Sequence, residues 1–156
     1  MSEEQSINMS DISNKESSNR YASAMCEVVV NQEIIDKINN RSLPKGDIIA
    51  AAKLAGILAV KKTHEMIPLC HAIPVSNADV EIVLPNIQDN APVIKITSVV
   101  ESFYKTGVEM EALAAVSIAG LTIYDMTKSI SHSVELRNIR LLEKRGGKSG
   151  DYKANK

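Results

Sequence analysis

The stretch KTGVEMEALAAVSIAGLTIYDMTK, residues 105–128, predicts a long buried helix around which the rest of the chain folds. It has no charge between Ala112 and Tyr124, and many of its residues are small. A helix that is uncharged all round is buried on most faces, and small residues let another backbone approach closely. Because glycine costs about 1 kcal/mol against alanine inside a helix, we expect Gly120 to mark such a close approach.

Charged residues stand at the two ends of this helix. Thr106 and Glu109 match a capping box, with Thr106 as the N-cap and Glu109 at N3. Glu111 and Asp125 are 14 residues apart, which places them about 40° apart around the axis and roughly 21 Å apart along it. One helix cannot bring both to one small-molecule site, but two copies packed antiparallel across a two-fold axis can. We therefore expect a site at a subunit interface, with Glu111 of one subunit near Asp125 and Lys128 of the other.

Asp125 and Lys128 are three residues apart and are neighbours on the helix surface. Such a pair is usually a solvent-exposed ion pair that contributes little to stability. Tyr124 and Met126 flank it, however, so it stands at the edge of a buried region. A carboxylate beside a partly desolvated lysine is a common way to prepare a proton-transfer group. Spacing alone favours the exposed ion pair.

The surrounding sequence predicts the order β-α-α-β-β-α-β. Asn31 and Asp47 are placed to cap the first two helices, and NADVEIVL and PVIKITSVVES read as a hairpin of strands. This order is typical of an α+β, ferredoxin-like fold, in which helices cover one face of an antiparallel sheet. We expect a flexible N-terminal segment over residues 1–19, a single catalytic domain over 20–145 and a flexible glycine-rich tail over 146–156.

The composition limits the classes of function. With 18 Lys and Arg against 19 Asp and Glu, no general charge attracts nucleic acid or a membrane surface, so an anionic ligand needs a local cluster of cations. The chain has no Trp and one Phe, which argues against a base-stacking surface. Cys26 and Cys70 form no CxxC pair, and the N-terminus has no apolar signal core. The longest uncharged run, 13 residues, falls short of the ~20 that cross a bilayer. We expect a cytoplasmic protein.

Further candidates lie outside the long helix. Leu69, Cys70 and His71 stand between two prolines in an irregular segment. His71 is either hydrogen-bonded within the core or free to bind phosphate, move protons or ligate a metal; no zinc-ligand spacing accompanies it. Lys45 precedes a helix N-terminus, which favours anions. Lys148 lies in GGKSG, which lacks the spacing of a phosphate loop and belongs to a flap or a disordered tail.

Taken together, these segments resemble the cyclic pyranopterin monophosphate synthase family, the C protein of molybdenum cofactor biosynthesis. The matching pieces run in order from about residue 9 to residue 151: MSDIS, PKGDIIAAAKLAGILAVKKT, IPLCH, the 105–128 stretch and RGGKSGD. The chain departs from the family in having Ala72 after His71, where proline is usual, and Ala114, where threonine is common.

The resemblance implies a lyase that converts 3′,8-cyclo-7,8-dihydroguanosine 5′-triphosphate to cyclic pyranopterin monophosphate and releases diphosphate. It implies a hexamer built as a trimer of dimers, a substrate supplied by a radical enzyme acting on GTP, and no cofactor or metal. The implied catalytic residues are Asp125, Lys128 and Lys45. The implied substrate contacts are Leu69, Cys70, His71, Met110, Glu111, Glu109, Arg20, Lys61 and Lys148.

Three other classes compete with this interpretation. A non-catalytic nucleotide-binding module would explain the cations but would not need Glu109, Glu111 and Asp125 near a polyanion. A structural zinc protein would explain Cys70 and His71. An RNA-binding sheet would need more exposed aromatic side chains than one Phe and four Tyr supply.

Overall fold

The structure is a computed structural model that describes residues 6–86 and 92–155. The elements follow the chain as β1 (Ser18–Val29), α1 (Gln32–Asn39), α2 (Ile48–Met66), β2 (Val75–Val83), β3 (Val93–Tyr104), α3 (Glu109–Thr127), β4 (Glu135–Arg145) and β5 (Tyr152–Lys153). The strands lie in the order β2-β3-β1-β4-β5, and all neighbours are antiparallel. This confirms the expected α+β, ferredoxin-like arrangement and adds the short strand β5.

The central strands bury every second residue against the helices, as the period of two along a strand requires. The registered pairs Ala24↔Ser98 and Cys26↔Ile96 lie on this inner face. All four side chains are almost completely buried. The alternation therefore fixes which face of the sheet the helices cover.

The first two helices begin at the predicted caps. The Asn31 side chain accepts a hydrogen bond from the Ile34 N–H at 3.0 Å. Asp47 Oδ1 accepts from the N–H groups of Ile49 and Ala50, both at 3.0 Å. These bonds satisfy N–H groups that have no partner within the helix, and they confirm both caps.

Glycines bring α3 close to its neighbours. A Cβ added at Gly120 would lie 2.9 Å from Leu136 Cδ2 and 3.2 Å from Cys26 Sγ. A Cβ at Gly56 of α2 would lie 3.0 Å from the Ala115 carbonyl oxygen of α3. The expected close packing at Gly120 is confirmed, and Gly56 does the same where the two helices meet.

The predicted capping box at the start of α3 is wrong. The helix begins at Glu109, the N-cap position is Val108, and no side chain caps it. The Glu109 carboxylate instead folds back into the space that a Cβ at residue 107 would occupy, and it pairs with Lys144 of β4. The bend at Lys105 and Thr106 thus places the helix two residues later than the motif suggests.

Part of α3 remains uncovered in the single chain. Its inner face is buried, but Leu121 is 53% exposed and Met110 39% exposed. On the neighbouring α2, Leu54 is 59% exposed and Leu58 49% exposed. The prediction of burial on most faces is therefore met where α3 faces the sheet and α2, and it fails on the outer face that carries Met110 and Leu121.

The terminal segments depart from the expected boundaries. β1 begins at Ser18, residues 6–17 have no regular structure, and residues 1–5 of the predicted flexible segment lie outside the described residues. In the predicted tail, Tyr152–Lys153 pairs with Glu143 and Lys144 of β4. The sheet therefore extends beyond residue 145, and the mobility of either segment stays a prediction.

Candidate functional site

A pocket of about 400 Å³ lies where the loop after α2 meets the start of α3. The loop contributes three predicted site residues and α3 another three, namely Leu69, Cys70, His71, Glu109, Met110 and Glu111. The hydroxyl of Ser98 on β3 donates to the Ala112 carbonyl at 2.8 Å and ties the start of α3 to the sheet. Two segments far apart in sequence are thus held together by the core.

Glu111 is the buried acid of this pocket. Its residue is only 3% exposed, and Oε2 has no hydrogen-bond partner among the described residues. Burial, reinforced by the nearby charge of Glu109, raises the pKa of the Glu111 carboxyl to about 7. Burial and the charge of Glu111 also raise the pKa of the Cys70 thiol. Near neutral pH the pocket therefore contains an acid that exists in both protonation states.

A larger pocket of about 840 Å³ adjoins the first, and Lys15, Thr106, Gly107 and Glu109 line both. Five of its lining residues are cationic: Lys15, Arg20, Lys105, Lys144 and Lys148. Two are acidic, Glu16 and Glu109. Because the whole chain has a net charge of −1, this excess of cations is the local cluster that an anionic ligand needs.

Arg20 and the glycine-rich loop form one wall of the larger pocket. Arg20 donates from Nε to the Tyr104 carbonyl and from Nη2 to the Lys105 carbonyl, both at 3.1 Å. Gly147 packs directly on the guanidinium, and a Cβ there would collide with it. Its φ of +96° also favours glycine. The loop that carries Lys148 is therefore seated on Arg20.

A separate cluster lies at the other end of α3. Asp125 accepts from Lys128 Nζ at 2.7 Å through Oδ1 and from Lys45 Nζ at 2.5 Å through Oδ2. All three side chains are about half exposed. The hydrogen bonds from Lys128 and Lys45 lower the pKa of Asp125 to about 2, and the bond to Asp125 raises the pKa of Lys128. In the single chain Lys128 is thus paired and half exposed, which differs from the partly desolvated lysine that we considered from sequence.

The predicted residues therefore fall into three groups, with Lys61 outside them, and six of the residues line the smaller pocket. Arg20 and Lys148 join the larger pocket, and the Asp125 cluster gathers the three predicted catalytic residues. Lys61 lies exposed on α2 and is not among the residues that line either pocket. The structure does not bring it to the site of a single chain.

Three cations of the larger pocket, Lys15, Lys105 and Lys144, were not among the predicted site residues. Lys15 lies in a polar segment that looks mobile, and Lys144 lies in a strand where it reads as a solvated charge. The signal for Lys144 was its position just before RGGKSG, since a strand that leads into a site-lining loop brings its last side chains to the same place.

The described part of the chain contains neither a cluster of metal ligands nor a membrane-spanning helix. Within residues 6–86 and 92–155, no group of three or more His, Cys, Asp and Glu side chains is placed to hold a metal ion. Of the helices in these ranges, none is long and apolar enough to cross a membrane.

The fold and the site define a class: a ferredoxin-like α+β protein in which a cation-lined pocket adjoins a buried acid, with a lysine–aspartate–lysine cluster at the far end of the same helix. The model of the MoaC family matches residues 9–147. The chain belongs to the MoaC family.

Relatives of the chain share one name, cyclic pyranopterin monophosphate synthase. The protein of Trichodesmium erythraeum is 45% identical over 149 residues, 96% of this chain and 88% of the relative. That of Nitratidesulfovibrio vulgaris is 41% identical over 154 residues, 99% and 94% of the two chains. That of Listeria monocytogenes serotype 4b is 43% identical over 152 residues, 97% and 92%. The expected family is confirmed, and the relatives' name is that of an enzyme.

Proposed function

We propose that this protein is a cyclic pyranopterin monophosphate synthase of molybdenum cofactor biosynthesis. It would convert 3′,8-cyclo-7,8-dihydroguanosine 5′-triphosphate to cyclic pyranopterin monophosphate and release diphosphate. The observation that carries the proposal is the pair of adjoining pockets in a member of this family. One is lined by five cations and suits a triphosphate; the other holds the buried Glu111 and suits a ring with polar edges.

The cation-lined pocket fits the charge that the reaction has to move. When the cyclic phosphate closes, the P–O bond to the leaving diphosphate breaks and negative charge grows on the leaving oxygens. Ammonium and guanidinium groups fixed in position stabilise such charge as it develops. Arg20, held by two carbonyls, and Lys148, on the loop seated against it, are the groups to which we assign this role.

The proton transfers of the ring rearrangement are assigned to the other cluster. We propose Lys128 and Lys45 as acid and base, with Asp125 orienting both. The lowered pKa of Asp125 and the raised pKa of Lys128 mean that both are charged in the single chain. Lys128 then carries the proton that an acid gives up, and its pKa has to fall before the transfer is favourable. Burial by a second subunit would lower a lysine pKa and allow one of the pair to act as the base.

A dimer would bring the two clusters into one site. Within one chain, Glu111 and Asp125 are separated by roughly 21 Å of helix. The exposed apolar side chains on the outer faces of α2 and α3, among them Leu54, Leu58 and Leu121, support a partner packed there. A two-fold axis across this surface would place Asp125 of one subunit beside Glu111 of the other.

Three parts of the proposal rest on the family alone. They are the hexamer of three dimers, the supply of substrate by a radical GTP cyclase, and contact of Lys61 with the substrate. The exposed position of Lys61 agrees with a role toward a second chain. The free thiols of Cys26 and Cys70 agree with the proposed cytoplasmic location.

Mixed oligomers test the reaction and the shared site together. The variants Glu111→Ala and Asp125→Ala are each made alone, then co-expressed with different affinity tags and purified as mixed oligomers. Formation of cyclic pyranopterin monophosphate from the cyclised triphosphate is measured. Each variant alone is expected to be inactive, since every site lacks one group. A heterodimer selected by both tags has one intact site in two, and dimers paired at random within a larger oligomer have one in four. The mixture should therefore regain about a quarter to a half of wild-type activity.

The outcomes separate the two claims. Wild-type protein that releases no diphosphate from this substrate would refute the reaction. An active wild type with mixed oligomers that stay inactive would refute the shared site alone.

A further inference from the structure

Lys144, at the end of β4, joins two parts of the site that are far apart in sequence. Its Nζ donates to Ser149 Oγ at 2.8 Å and lies 3.3 Å from Glu109 Oε1. The pair is well shielded, with side-chain exposures of 23% for Lys144 and 29% for Glu109. One ammonium thus contacts the glycine-rich loop and the first residue of α3.

The backbone of Lys144 is fixed on both sides. Residue 144 pairs with Ala22 of β1 and with Tyr152 of β5. Two hydrogen bonds close the loop that follows. The Gly146 N–H donates to Asp151 Oδ1 at 3.0 Å, and the Gly150 N–H donates to the Gly147 carbonyl at 3.2 Å. A lysine anchored in this way can hold its neighbours in place.

Glu109 poses an electrostatic problem for a polyanion. It lines both pockets and stands at their junction. An unpaired carboxylate there would repel phosphate oxygens in surroundings that screen charge less than water does. Lys144 is the ammonium that the structure places against it.

We propose that Lys144 is a positioning residue that neutralises Glu109 and holds the loop carrying Lys148, so that the larger pocket accepts a polyphosphate. The inference rests on the proposed function in taking the ligand to be a triphosphate. Lys144 acts through Glu109 and Ser149 and does not itself bind the reacting phosphate.

A double-mutant cycle separates this role from direct phosphate binding. Binding of inorganic tripolyphosphate to the full-length protein is measured by calorimetry, for wild type, Lys144→Met, Glu109→Gln and the double variant. Lys144→Met should weaken binding about tenfold, because the Glu109 carboxylate would then repel the phosphates without an ammonium to neutralise it. Glu109→Gln should not weaken it. The double variant should bind within about twofold of Glu109→Gln, because no carboxylate is left to neutralise.

Three more variants complete the set. Lys144→Arg keeps the charge and should restore binding to near the wild-type level. Ser149→Ala removes the loop contact and should weaken binding less than Lys144→Met does. Lys62→Met serves as the matched control, since Lys62 is also paired with a glutamate, Glu65 at 2.7 Å, but lies outside both pockets.

Steady-state kinetics supply a second readout. Lys144→Met should raise KM about tenfold and change kcat less than about threefold, since Lys144 touches no reacting atom. Thermal unfolding of each variant confirms that it is folded.

Three results would overturn the inference. A double variant that binds as weakly as Lys144→Met would make Lys144 a direct phosphate ligand. If Ser149→Ala weakened tripolyphosphate binding as much as Lys144→Met does, the loop contact alone would account for the effect and Glu109 would have no role in it. A wild-type protein that does not bind tripolyphosphate would remove the premise. The proposed function fails separately, if the wild-type protein binds tripolyphosphate in the expected pattern but forms no product.

Discussion

The two ends of α3 carry carboxylates in opposite surroundings. Glu111, near the start, is 3% exposed, has an oxygen without a hydrogen-bond partner among the described residues, and has a pKa raised to about 7. The Asp125 side chain, near the end, is 53% exposed, accepts from two lysines, and has a pKa lowered to about 2. Burial without a partner favours the neutral acid, and paired cations favour the carboxylate. One helix thus presents two acids that hold their protons in different pH ranges.

This difference has a consequence for the roles that the two ends can take. A group that titrates near neutral pH can change its proton during binding or turnover, whereas a group fixed as a carboxylate can only orient and stabilise cations. Under the proposed function, the protons transferred at the Asp125 end would therefore belong to Lys128 and Lys45 and not to Asp125. At the Glu111 end the proton belongs to the acid itself.

The largest expected effect is the loss of turnover when a lysine of the Asp125 cluster is removed. Lys128→Met or Lys45→Met should lower kcat by about 10²–10⁴-fold, the range typical of a lost acid or base. The rate of product formation under saturating substrate measures this. Lys62→Met, at an ion pair on the exposed side of α2, is the control and should leave kcat unchanged. Wild-type rates in either cluster variant would show that these lysines move no essential proton.

Glu111 should instead govern how stability depends on pH. Its folded pKa of about 7 lies above the ordinary value of 4.5, so the folded state holds a proton that the unfolded state releases. The free energy of unfolding should therefore be highest below pH 4.5, fall as the pH rises toward 7, and level off above it. The whole fall is on the order of 3 kcal/mol. Glu111→Gln should show little of this fall in the free energy of unfolding. Denaturant unfolding of both proteins across pH 4–8 would measure the difference.

Asp125→Asn is the matched comparison for that experiment. Asp125 is half exposed, so its ion pairs are screened by solvent and contribute little to stability. Its lowered pKa predicts some loss of stability only under strongly acidic conditions, as the pH falls below 3.8 toward 2. Between pH 5 and 8 the variant should unfold like wild type. A change in the free energy of unfolding of Asp125→Asn between pH 5 and 8 as large as the change found for Glu111→Gln would contradict the contrast between the two ends of α3.

The smallest expected effect lies in the middle of the helix. A Cβ at Gly120 would meet the end of the Leu136 side chain at 2.9 Å, and that flexible group can move. Because alanine gains about 1 kcal/mol of helix propensity over glycine, Gly120→Ala should change the free energy of unfolding by less than about 1 kcal/mol. At Gly56 the obstacle is the Ala115 backbone carbonyl at 3.0 Å, which cannot move alone. Gly56→Ala should therefore be the more destabilising variant in the same denaturant experiment.

Local patterns allowed much of the fold to be predicted. The hairpin strands β2 and β3, the caps Asn31 and Asp47, and the close packing at Gly120 were all predicted from residues near each other in sequence. The capping box failed for a tertiary reason. Lys144, far along the chain, holds the Glu109 carboxylate that would have completed it.

The site was predictable only in part. Sequence reasoning alone found the charged ends of α3 and their separation, and the family resemblance supplied the substrate and most of the contacts. Neither assigned Lys15, Lys105 or Lys144 to the site, because each looks like an ordinary surface charge until distant strands and loops bring it beside the pocket.

By itself the sequence determined the order of the main elements, the caps of the first two helices and the roughly 21 Å between Glu111 and Asp125, since these depend on local patterns and on residue spacing along regular backbone. Only the tertiary structure decided which charges meet: Lys45 with Asp125, Lys144 with Glu109, and Glu111 with no partner among the described residues. Charge and burial depend on neighbours in space, and these neighbours are contributed by parts of the chain that no local pattern connects.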